Sequence, residues 1–281
     1  MNTLKFKSNV AELDLPTLER TVKYEMGKGG LPRNRPIEHF KLITDLQNNI
    51  QDNTKLEAKI DTIYTSERQA MQIMHDGDKE NCPIEKYLLQ RIATKLTVDD
   101  KNKGYKAAVG ISYTDRGIQV AFGTHVNVCS NLMVWGPNFM STYGGNKVGF
   151  NIMMDAFDDW MKRFQEKRES DYEIIKALQN REVEENEMFE VLGRLIHGAE
   201  RGNGSKSDGS SLNVSQTLRL IDNYETERQG KDKITAWDIT NWGTNNLKPH
   251  LDGGDLTSIY NTTHKFSNVI AKHFLEDINL N

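Results

Sequence analysis

The fold is decided by residues 107–134, AAVGISYTDRGIQVAFGTHVNVCSNLMV. The runs 108–114 and 118–122 each alternate between an apolar face and a face of small or polar residues, which is the period-two pattern of β-strands. A short connection containing Gly117 joins them and indicates a hairpin. A third alternating run follows at 126–128. Three strands with tight links prefer antiparallel neighbours, so the stretch predicts a three-stranded antiparallel meander.

The first of these strands has one face of unusually small residues. Ala108, Gly110 and Ser112 share that face, opposite the larger Val109 and Ile111. Strand positions with little side chain allow another group to approach closely. We therefore expect a helix, a ligand or another backbone to pack against the small-residue face.

Helical patterns surround the meander, with apolar residues at spacings of three and four. The predicted helices are 37–51, one from Pro83 through Leu96, 150–164, and C-terminal helices through 172–178, 188–196, 218–224, 234–242 and 259–274. Alternation predicts a further strand at 56–65, Trp135-Gly136-Pro137 is expected to stop the sheet, and Thr235 is a candidate helix cap. The predicted fold class is α+β, a small antiparallel β-meander packed against a long helix, with a mostly helical C-terminal half.

Composition shifts along the chain predict four regions. The N-terminal part is rich in Gly, Pro and Arg near its end, and a second stretch is rich in Gly and Ser. Such stretches do not sustain regular structure for long. The predicted regions are an N-terminal arm or loop at 1–36, an α+β core domain at 37–197, a flexible Gly/Ser loop at 198–211, and a helical C-terminal region at 212–281.

The overall composition is that of a soluble globular protein. The 281 residues are 37% hydrophobic and 27% charged, and no apolar run approaches the roughly 20 residues needed to span a bilayer. The N-terminus has no signal-peptide pattern, so we expect a cytoplasmic protein without membrane contact. Cys82 and Cys129 lack metal-type spacing and are expected to be reduced thiols.

Charge is distributed unevenly. The formal net charge is −4, yet residues 86–116 hold seven basic and three acidic residues, a balance of +4. Residues 150–200 hold seven basic and thirteen acidic residues, a balance of −6. A local basic surface can bind a polyanion even on an acidic protein.

The sequence carries no catalytic signature, and we expect neither a cofactor nor a metal. His125 and Cys129 share a strand face, but their Cα atoms lie ~13 Å apart at strand spacing, too far for direct pairing. The run 75–80 resembles a calcium loop but has Tyr87 where a bidentate acid must close the site. Whether the chain is an enzyme stays open, with non-enzymatic binding preferred.

The basic region predicts a nucleic-acid-binding surface. Its lysines and arginines would neutralise phosphates, and its tyrosines would stack on bases. The predicted binding residues are Arg91, Lys95, Lys101, Lys103, Lys106, Arg116, Tyr105 and Tyr113. Two loops are either solvated or in contact with phosphates, since small residues and arginines suit an anion. Their candidate residues are Lys28, Arg33, Arg35, Arg201 and Lys206.

Several short motifs carry a resemblance to a known group. They are VCSNLMVW at 128–135, FEVLGRLI at 189–196, LNVSQ at 212–216, and TAWD at 235–238 with Asn241. In this order they resemble phage- and plasmid-borne proteins grouped as domains of unknown function 932 and 3871, from Bacteroidetes mobile elements or phages. The resemblance spans roughly 105–275, implies a bacteriophage or mobile genetic element origin, and supplies no catalytic residues. The 198–211 loop and the N-terminal third depart from it.

Three functions follow from these observations. The preferred hypothesis is a phage or mobile-element accessory protein that binds single-stranded nucleic acid, in the form of a strand-annealing or recombination factor. Such annealers typically self-assemble, so a homo-oligomer is expected. The alternative is a virion-associated or anti-host-defence protein whose acidic 155–190 helices contact a host or phage protein. The third is a metal-dependent hydrolase or nuclease using Asp155, Asp158 or Asp159.

One packing expectation connects sequence to function. The aromatic side of segment 150–164 would cover the sheet, since Phe150, Met153, Phe157 and Trp160 recur at helical spacing. That packing would leave the basic residues of 86–116 as a cationic rim, open to a polyanion.

Overall fold

The architecture is a seven-stranded antiparallel sheet with helices on both faces. It is seen in a computed structural model that describes residues 6–7, 10–21, 24–26, 32–34, 37–66, 70–72, 87–89, 91–98, 105–114, 117–125, 134–201, 218–222, 224, 231, 233–246 and 259–275. The predicted α+β class is confirmed. Among the helices of these ranges, none has the length and apolar character needed to cross a lipid bilayer.

The main sheet has the strand order β1-β2-β5-β8-β9-β10-β11, and every neighbouring pair is antiparallel. Its strands are β1 (Phe6–Lys7), β2 (Val10–Leu13), β5 (Ala58–Ser66), β8 (Ile92–Val98), β9 (Ala107–Thr114), β10 (Gly117–His125) and β11 (Val134–Tyr143). Two small pairs stand apart from it, namely β3 (Tyr24–Met26) with β4 (Pro32–Asn34), and β6 (Ala70–Gln72) with β7 (Tyr87–Leu89).

The helices fall into an N-terminal and a C-terminal group. The first group is α1 (Leu15–Arg20), α2 (His39–Thr54) and α3 (Lys147–Lys162). The second is α4 (Phe164–Asn180), α5 (Glu185–Arg201), α6 (Ala236–Asn246) and α7 (Ile259–Phe274), together with helical residues at 218–222. The predicted helices at 37–51, 150–164, 172–178, 188–196, 234–242 and 259–274 are confirmed.

The β9–β10 hairpin forms as predicted. Gly117 lies opposite Thr114, and its φ of 127° is in the left-handed region that favours glycine. A Cβ at Gly117 would also lie 2.1 Å from the carbonyl oxygen of Tyr143. The predicted third strand at 126–128 lies outside the described residues.

The third strand that the structure does show is β11, and it corrects one prediction. Trp135, Gly136 and Pro137 were expected to stop the sheet, yet β11 runs through them as an edge strand. An edge position tolerates proline because one side of the strand needs no ladder donor. The pairing between β10 and β11 shifts register between Phe122 and Thr124, which absorbs the irregular segment.

One sheet face packs against α1, α2 and α3. Apolar residues of these helices and of the sheet form a single buried cluster that includes Leu46, Val109 and Phe157. The ring of Phe122 on β10 lies 5.2 Å from the ring of Phe157 and stacks at 5.3 Å on Trp160. The aromatic side of α3 therefore covers the sheet, as its spacing predicted.

The opposite face is the small-residue face, and a helix approaches it closely, as predicted. Tyr260 of α7 packs directly over Gly110, where an added Cβ would lie 2.2 Å from Tyr260 Cε1. The Tyr260 hydroxyl donates to the carbonyl oxygen of Thr94, and burial raises the pKa of this phenol. Helices α4 to α7 and residues of the sheet share one buried cluster there.

Two predictions about local structure are wrong. The predicted N-terminal arm contains β1, β2 and the capped helix α1, and Leu13 and Leu18 are buried in the core. Where the structure describes the predicted helix from Pro83 through Leu96, residues 87–89 form β7 and residues 92–96 belong to β8. All seven residues of β8 are buried, and a strand covered on both faces loses the alternation that distinguishes it from a helix.

The other boundaries are seen in part. Thr235 caps α6 as predicted, since its hydroxyl accepts from the backbone N–H of Asp238 at 3.1 Å. The predicted loop 198–211 overlaps α5 at residues 198–201, which are helical, and its remainder lies outside the described residues. The division into a core and a C-terminal region stays a prediction.

The contact between Gly110 and Tyr260 gives a stability test. We expect Gly110→Ala to lower the free energy of unfolding by about 1–3 kcal/mol, because the added methyl overpacks the sheet–helix contact. The matched control is Gly193→Ala on α5, where an added Cβ meets nothing within 4 Å. The control should be neutral or stabilising by up to about 1 kcal/mol, since alanine is the better helix former. Urea denaturation measures both.

A double-mutant cycle checks the assignment. In a Tyr260→Ala background the cost of Gly110→Ala should disappear, because the ring that it strikes is gone. An unchanged cost in that background would contradict the contact.

Candidate functional site

Four polar side chains from three strands meet at one end of the small-residue face. Lys95 Nζ on β8 lies 3.2 Å from Asp61 Oδ2 on β5, and His125 Nδ1 on β10 lies 3.8 Å from the same oxygen. The hydroxyl of Thr97 donates to Asp61 Oδ1 at 3.4 Å. We call Asp61, Lys95, Thr97 and His125 the polar cluster.

The strands explain why these side chains meet. Lys95 and Thr97 are two residues apart on β8 and therefore point to the same face. The β5–β8 pairing shifts register between Ile60 and Thr62, which turns Asp61 towards that face. Between β8 and β10, strand β9 contributes only Ala108 and Gly110 in register with Thr97 and Lys95. These small side chains let the long lysine and the imidazole lie beside the ring of Tyr260, which covers Gly110.

Burial sets the electrostatics of the polar cluster. Lys95 is 1% exposed and keeps its ammonium beside a carboxylate, whereas the side chain of Asp61 is 35% exposed. Burial and the neighbouring charges of Lys95 and Lys106 lower the pKa of His125, against the opposing effect of Asp61. His125 is therefore neutral at pH 7. Its Nδ1 is buried and makes no hydrogen bond within the described part of the chain.

A group of partly exposed aromatic side chains lies beside the start of β9. The ring of Tyr105 is 6.3 Å from that of Tyr172 on α4 and 6.1 Å from that of Trp237 on α6. Trp237 in turn packs edge-on against the buried Trp135, with ring centres 5.5 Å apart. All three outer rings keep part of their surface in solvent.

Polar contacts hold Tyr105 in this position. Gln179 of α4 donates to the Tyr105 hydroxyl, and Arg168 of the same helix donates to the Tyr105 carbonyl at 2.9 Å. Buried Arg168 thus fixes the backbone from which the ring projects. The aromatic group is pre-organised by α4 and α6, which reduces the entropy that ligand binding would cost.

Lys106 joins the two groups. Its carbonyl accepts from the backbone N–H of His125 at 2.9 Å, and its side chain is exposed. We call the surface formed by Tyr105, Lys106, His125, Tyr172 and Trp237 the aromatic–cationic site. An exposed cation beside aromatic faces is the combination that nucleic-acid-binding proteins use for unpaired bases and their phosphates.

Two of the predicted nucleic-acid-binding residues are buried, so neither is part of an exposed binding surface. Lys95 is paired with Asp61 in the polar cluster and is 1% exposed, so its ammonium could meet a phosphate only if the Asp61 carboxylate moved away. Tyr113 is 1% exposed, donates to the carbonyl of Gly145 at 3.0 Å and packs edge-on against His39. Its ring therefore has no face to offer a base.

Two basic residues of the predicted cationic rim that the structure describes, Arg91 and Lys106, lie far apart. Arg91 directly precedes β8, whereas Lys106 lies beside the other end of that strand, where Val98 pairs with Ala107. Six strand steps separate those ends, which is about 20 Å. Arg91 is partly buried. Lys106 and Tyr105 are thus the predicted residues that the structure brings together.

The other predicted residues are seen incompletely. Arg33 lies in β4 and Arg201 ends α5. The remaining ones lie outside the described residues, and they are Lys28, Arg35, Lys101, Lys103, Arg116 and Lys206. The relation of His125 to Cys129 is not seen either, because Cys129 lies outside the described ranges.

The aspartates of α3 show the contacts of a helix surface. Asp158 accepts from Asn53 at 2.9 Å and lies 3.0 Å from Lys162, while Asp159 lies 3.1 Å from the same lysine. These contacts lower the pKa of Asp158. Within the described residues no group of three or more His, Cys, Asp or Glu side chains could hold a metal ion.

Sequence reasoning missed several members of the site. Asp61 was overlooked because its orientation comes from a bulge, which alternation alone does not show. Trp237 and Tyr172 lie in segments that the sequence predicts as helices, and helical spacing does not distinguish them from core residues, yet both are partly exposed. Their proximity to Tyr105 depends on α4 and α6 crossing the sheet near the start of β9, a tertiary fact.

Comparison of the chain with protein-family models, with curated proteins and with solved structures finds no match. The resemblance to the phage- and plasmid-borne group therefore stays a prediction.

The neutral histidines predict a pH dependence of stability. Burial lowers the pKa of both His125 and His264. The unfolded chain then binds more protons than the folded chain as the pH falls below about 6.5, so the free energy of unfolding decreases there. Each histidine contributes a slope of at most about 1.4 kcal/mol per pH unit. Urea denaturation between about pH 7.5 and about pH 5.5 measures this, above the range in which most carboxylates titrate.

The variants His125→Gln and His264→Gln identify the source. Each should flatten part of the dependence, since each removes one group that must be neutral in the folded state. Stability that is constant or rises towards pH 5.5 in the unaltered protein would contradict the burial of these rings.

Proposed function

We propose that this protein binds single-stranded nucleic acid at the aromatic–cationic site. The observation that carries the proposal is the cluster of three partly exposed rings, Tyr105, Tyr172 and Trp237, with exposed Lys106 directly after Tyr105 in the chain. Stacking on such rings contributes about 1–3 kcal/mol per base and tolerates any sequence. A lysine next to the rings neutralises the adjacent phosphate.

The form of nucleic acid follows from the same chemistry. Aromatic side chains reach base faces only where bases are unstacked, as in single strands, loops and ends. The protein has a formal net charge of −4, so attraction comes from local groups. Lys106 and Lys59 are exposed near the polar cluster, Lys59 being opposite Thr97 in the β5–β8 register. Binding should therefore be modest and sensitive to salt.

The biological setting is a narrower part of the proposal. We place the protein in a bacteriophage or mobile genetic element, as a homo-oligomeric strand-annealing or recombination factor acting in the host cytoplasm. Its support is the ordered set of motifs between 128 and 241, one of which, TAWD at 235–238, contains Trp237 of the site. Annealing of complementary labelled strands, followed on a sample of measured oligomeric state, tests this part.

The cationic half of the site gives the first test. Lys106→Gln should weaken binding of fluorescent single-stranded DNA and reduce the slope of log affinity against log salt by about 0.7, the value for one lost phosphate contact. The matched control is Lys147→Gln, another exposed lysine, on the helix α3 that covers the other sheet face. The control should bind like the unaltered protein. Equal losses in both variants would show that only net charge matters.

The aromatic half is tested separately. Tyr172→Leu keeps an apolar side chain on α4 but removes the ring, and we expect the dissociation constant to rise at least about fivefold, the lower bound for one stacked base. The salt slope should stay unchanged, because no charge is removed. Fluorescence anisotropy at several salt concentrations measures both quantities. Unchanged affinity in this variant would remove the stacking part of the proposal.

A protein partner is the second candidate function, and one observation favours it. Val148 and Ile152 of α3 are 67% and 56% exposed and lie one helical turn apart, beside exposed Asp155. Such a patch suits a host or phage protein with an apolar and basic surface. Absence of DNA binding at low salt, together with a stoichiometric host-protein complex that Ile152→Lys abolishes, would favour this function.

A further inference from the structure

We propose that Lys95, Thr97 and His125 form a phosphate-binding site which the carboxylate of Asp61 occupies in the unliganded protein. The ligand class is a phosphate group, presented by the nucleic acid of the proposed function or by free phosphate. The identification of nucleic acid as its source rests on that proposed function. The phosphate site itself rests on the polar cluster alone.

The first argument is the burial of Lys95. Lysine is almost never fully buried unless it is paired, because removing an ammonium from water is costly. Lys95 is 1% exposed in the middle of a strand that is otherwise apolar or carries threonine. A buried ion pair contributes little net stability compared with apolar packing, so stability alone gives a weak reason for a lysine here. Recognition of an anion gives a stronger one.

The second argument is that the Asp61 carboxylate fills the site poorly. It reaches Lys95 Nζ at 3.2 Å, but the Thr97 hydroxyl is 3.4 Å away and His125 Nδ1 is 3.8 Å away. The last distance is too long for a hydrogen bond, and Nδ1 is left buried without a hydrogen-bond partner in the described part of the chain. A tetrahedral phosphate is wider than a carboxylate and has more acceptor oxygens. It can therefore accept from all three groups together.

The third argument is that Asp61 is placed to leave. It sits where the β5–β8 pairing shifts register, and its side chain is 35% exposed. An extra residue in a strand is held less tightly by the ladder and is often found beside functional sites. Rotation of this side chain into solvent would open the space above Ala108, whose small side chain lies between Thr97 and Gly123 in the register. Asp61 then acts as an internal competitor for the anion.

The surrounding charges fit a phosphate once Asp61 has moved. Lys95 and Lys106 are the cations whose charges act on His125, and Lys59 lies opposite Thr97 with its ammonium 3.3 Å from Glu57. When Asp61 turns away, Lys95 loses its negatively charged partner. A phosphate close to these cations would take the place of the lost carboxylate. The proposed phosphate site is also next to the aromatic–cationic site, since His125 belongs to both sites.

The experiment uses inorganic phosphate and the full chain. Asp61→Asn removes the competing charge while keeping the shape of the side chain. We expect this variant to be stabilised against thermal unfolding by phosphate in a saturable manner, compared with chloride at equal ionic strength. Half-saturation should occur at a concentration lower than for the unaltered protein by about tenfold or more. The double variant Asp61→Asn/Lys95→Met should lose this response, because the central donor is gone.

Two outcomes would overturn the inference. A folded Asp61→Asn variant that responds to phosphate no more than to chloride shows that Asp61 and Lys95 form a structural ion pair only. If Asp61→Asn does not fold, phosphate is titrated into the unaltered protein and into Thr97→Val while the His125 ring resonances are followed by NMR. A saturable shift that Thr97→Val weakens supports the site, and the absence of any shift overturns it.

The source of the phosphate is decided by oligonucleotides. If the backbone of single-stranded DNA supplies it, Asp61→Asn should bind the strand more tightly than the unaltered protein, and phosphate should compete. If only free phosphate binds, the response to phosphate persists without any DNA binding, and the proposed nucleic-acid function fails while the phosphate site stands. If DNA binds but no variant responds to phosphate, the phosphate site fails and the proposed nucleic-acid function stands.

Discussion

The structure depends on a sheet whose central strands are covered by helices on both faces. The helices on the small-residue face approach the backbone of the sheet more closely than those on the other face. On one face the large side chains of β8 to β10 meet the aromatic side of α3 and the apolar side of α2. On the other, small residues let Tyr260 rest on Gly110 itself. This close approach anchors α7, and with it the helical layer of α4 and α6 that carries Tyr172 and Trp237 beside the start of β9. The proposed binding surface therefore depends on a missing Cβ in the middle of a strand.

The same small-residue face also carries the polar cluster. Beside the Tyr260 ring that covers Gly110, the space between β8 and β10 is taken by the long side chain of Lys95 and the ring of His125. Apolar residues could fill this space at lower electrostatic cost. The charged groups held there, with the Asp61 side chain 35% exposed, are the basis of the proposed phosphate site. Structural packing and proposed binding thus draw on one feature of the sequence.

Periodicity was sufficient for much of the fold. The β9–β10 hairpin, the cap at Thr235 and the amphipathic helix α3 follow from local patterns, because each has one buried and one exposed side. Periodicity gave a wrong prediction for residues 92–98, because both faces of that strand are buried. The end of the sheet at Pro137 was also predicted wrongly, because an edge strand accepts proline. For the site, composition identified Lys106 and Tyr105, but it could not distinguish them from Lys95 and Tyr113. Which lysine points into the core is set by register and by partners far along the chain.

The most direct measurement is photo-crosslinking of single-stranded DNA to the protein, with the crosslinked residues identified by mass spectrometry. Binding at the aromatic–cationic site predicts crosslinks concentrated at Tyr105, Tyr172 and Trp237. Trp160 should stay unmodified, because it stacks on Phe122 on the opposite face of the sheet. Crosslinks confined to the α2 and α3 surface, or none under conditions in which a known single-strand-binding protein is labelled, would contradict it.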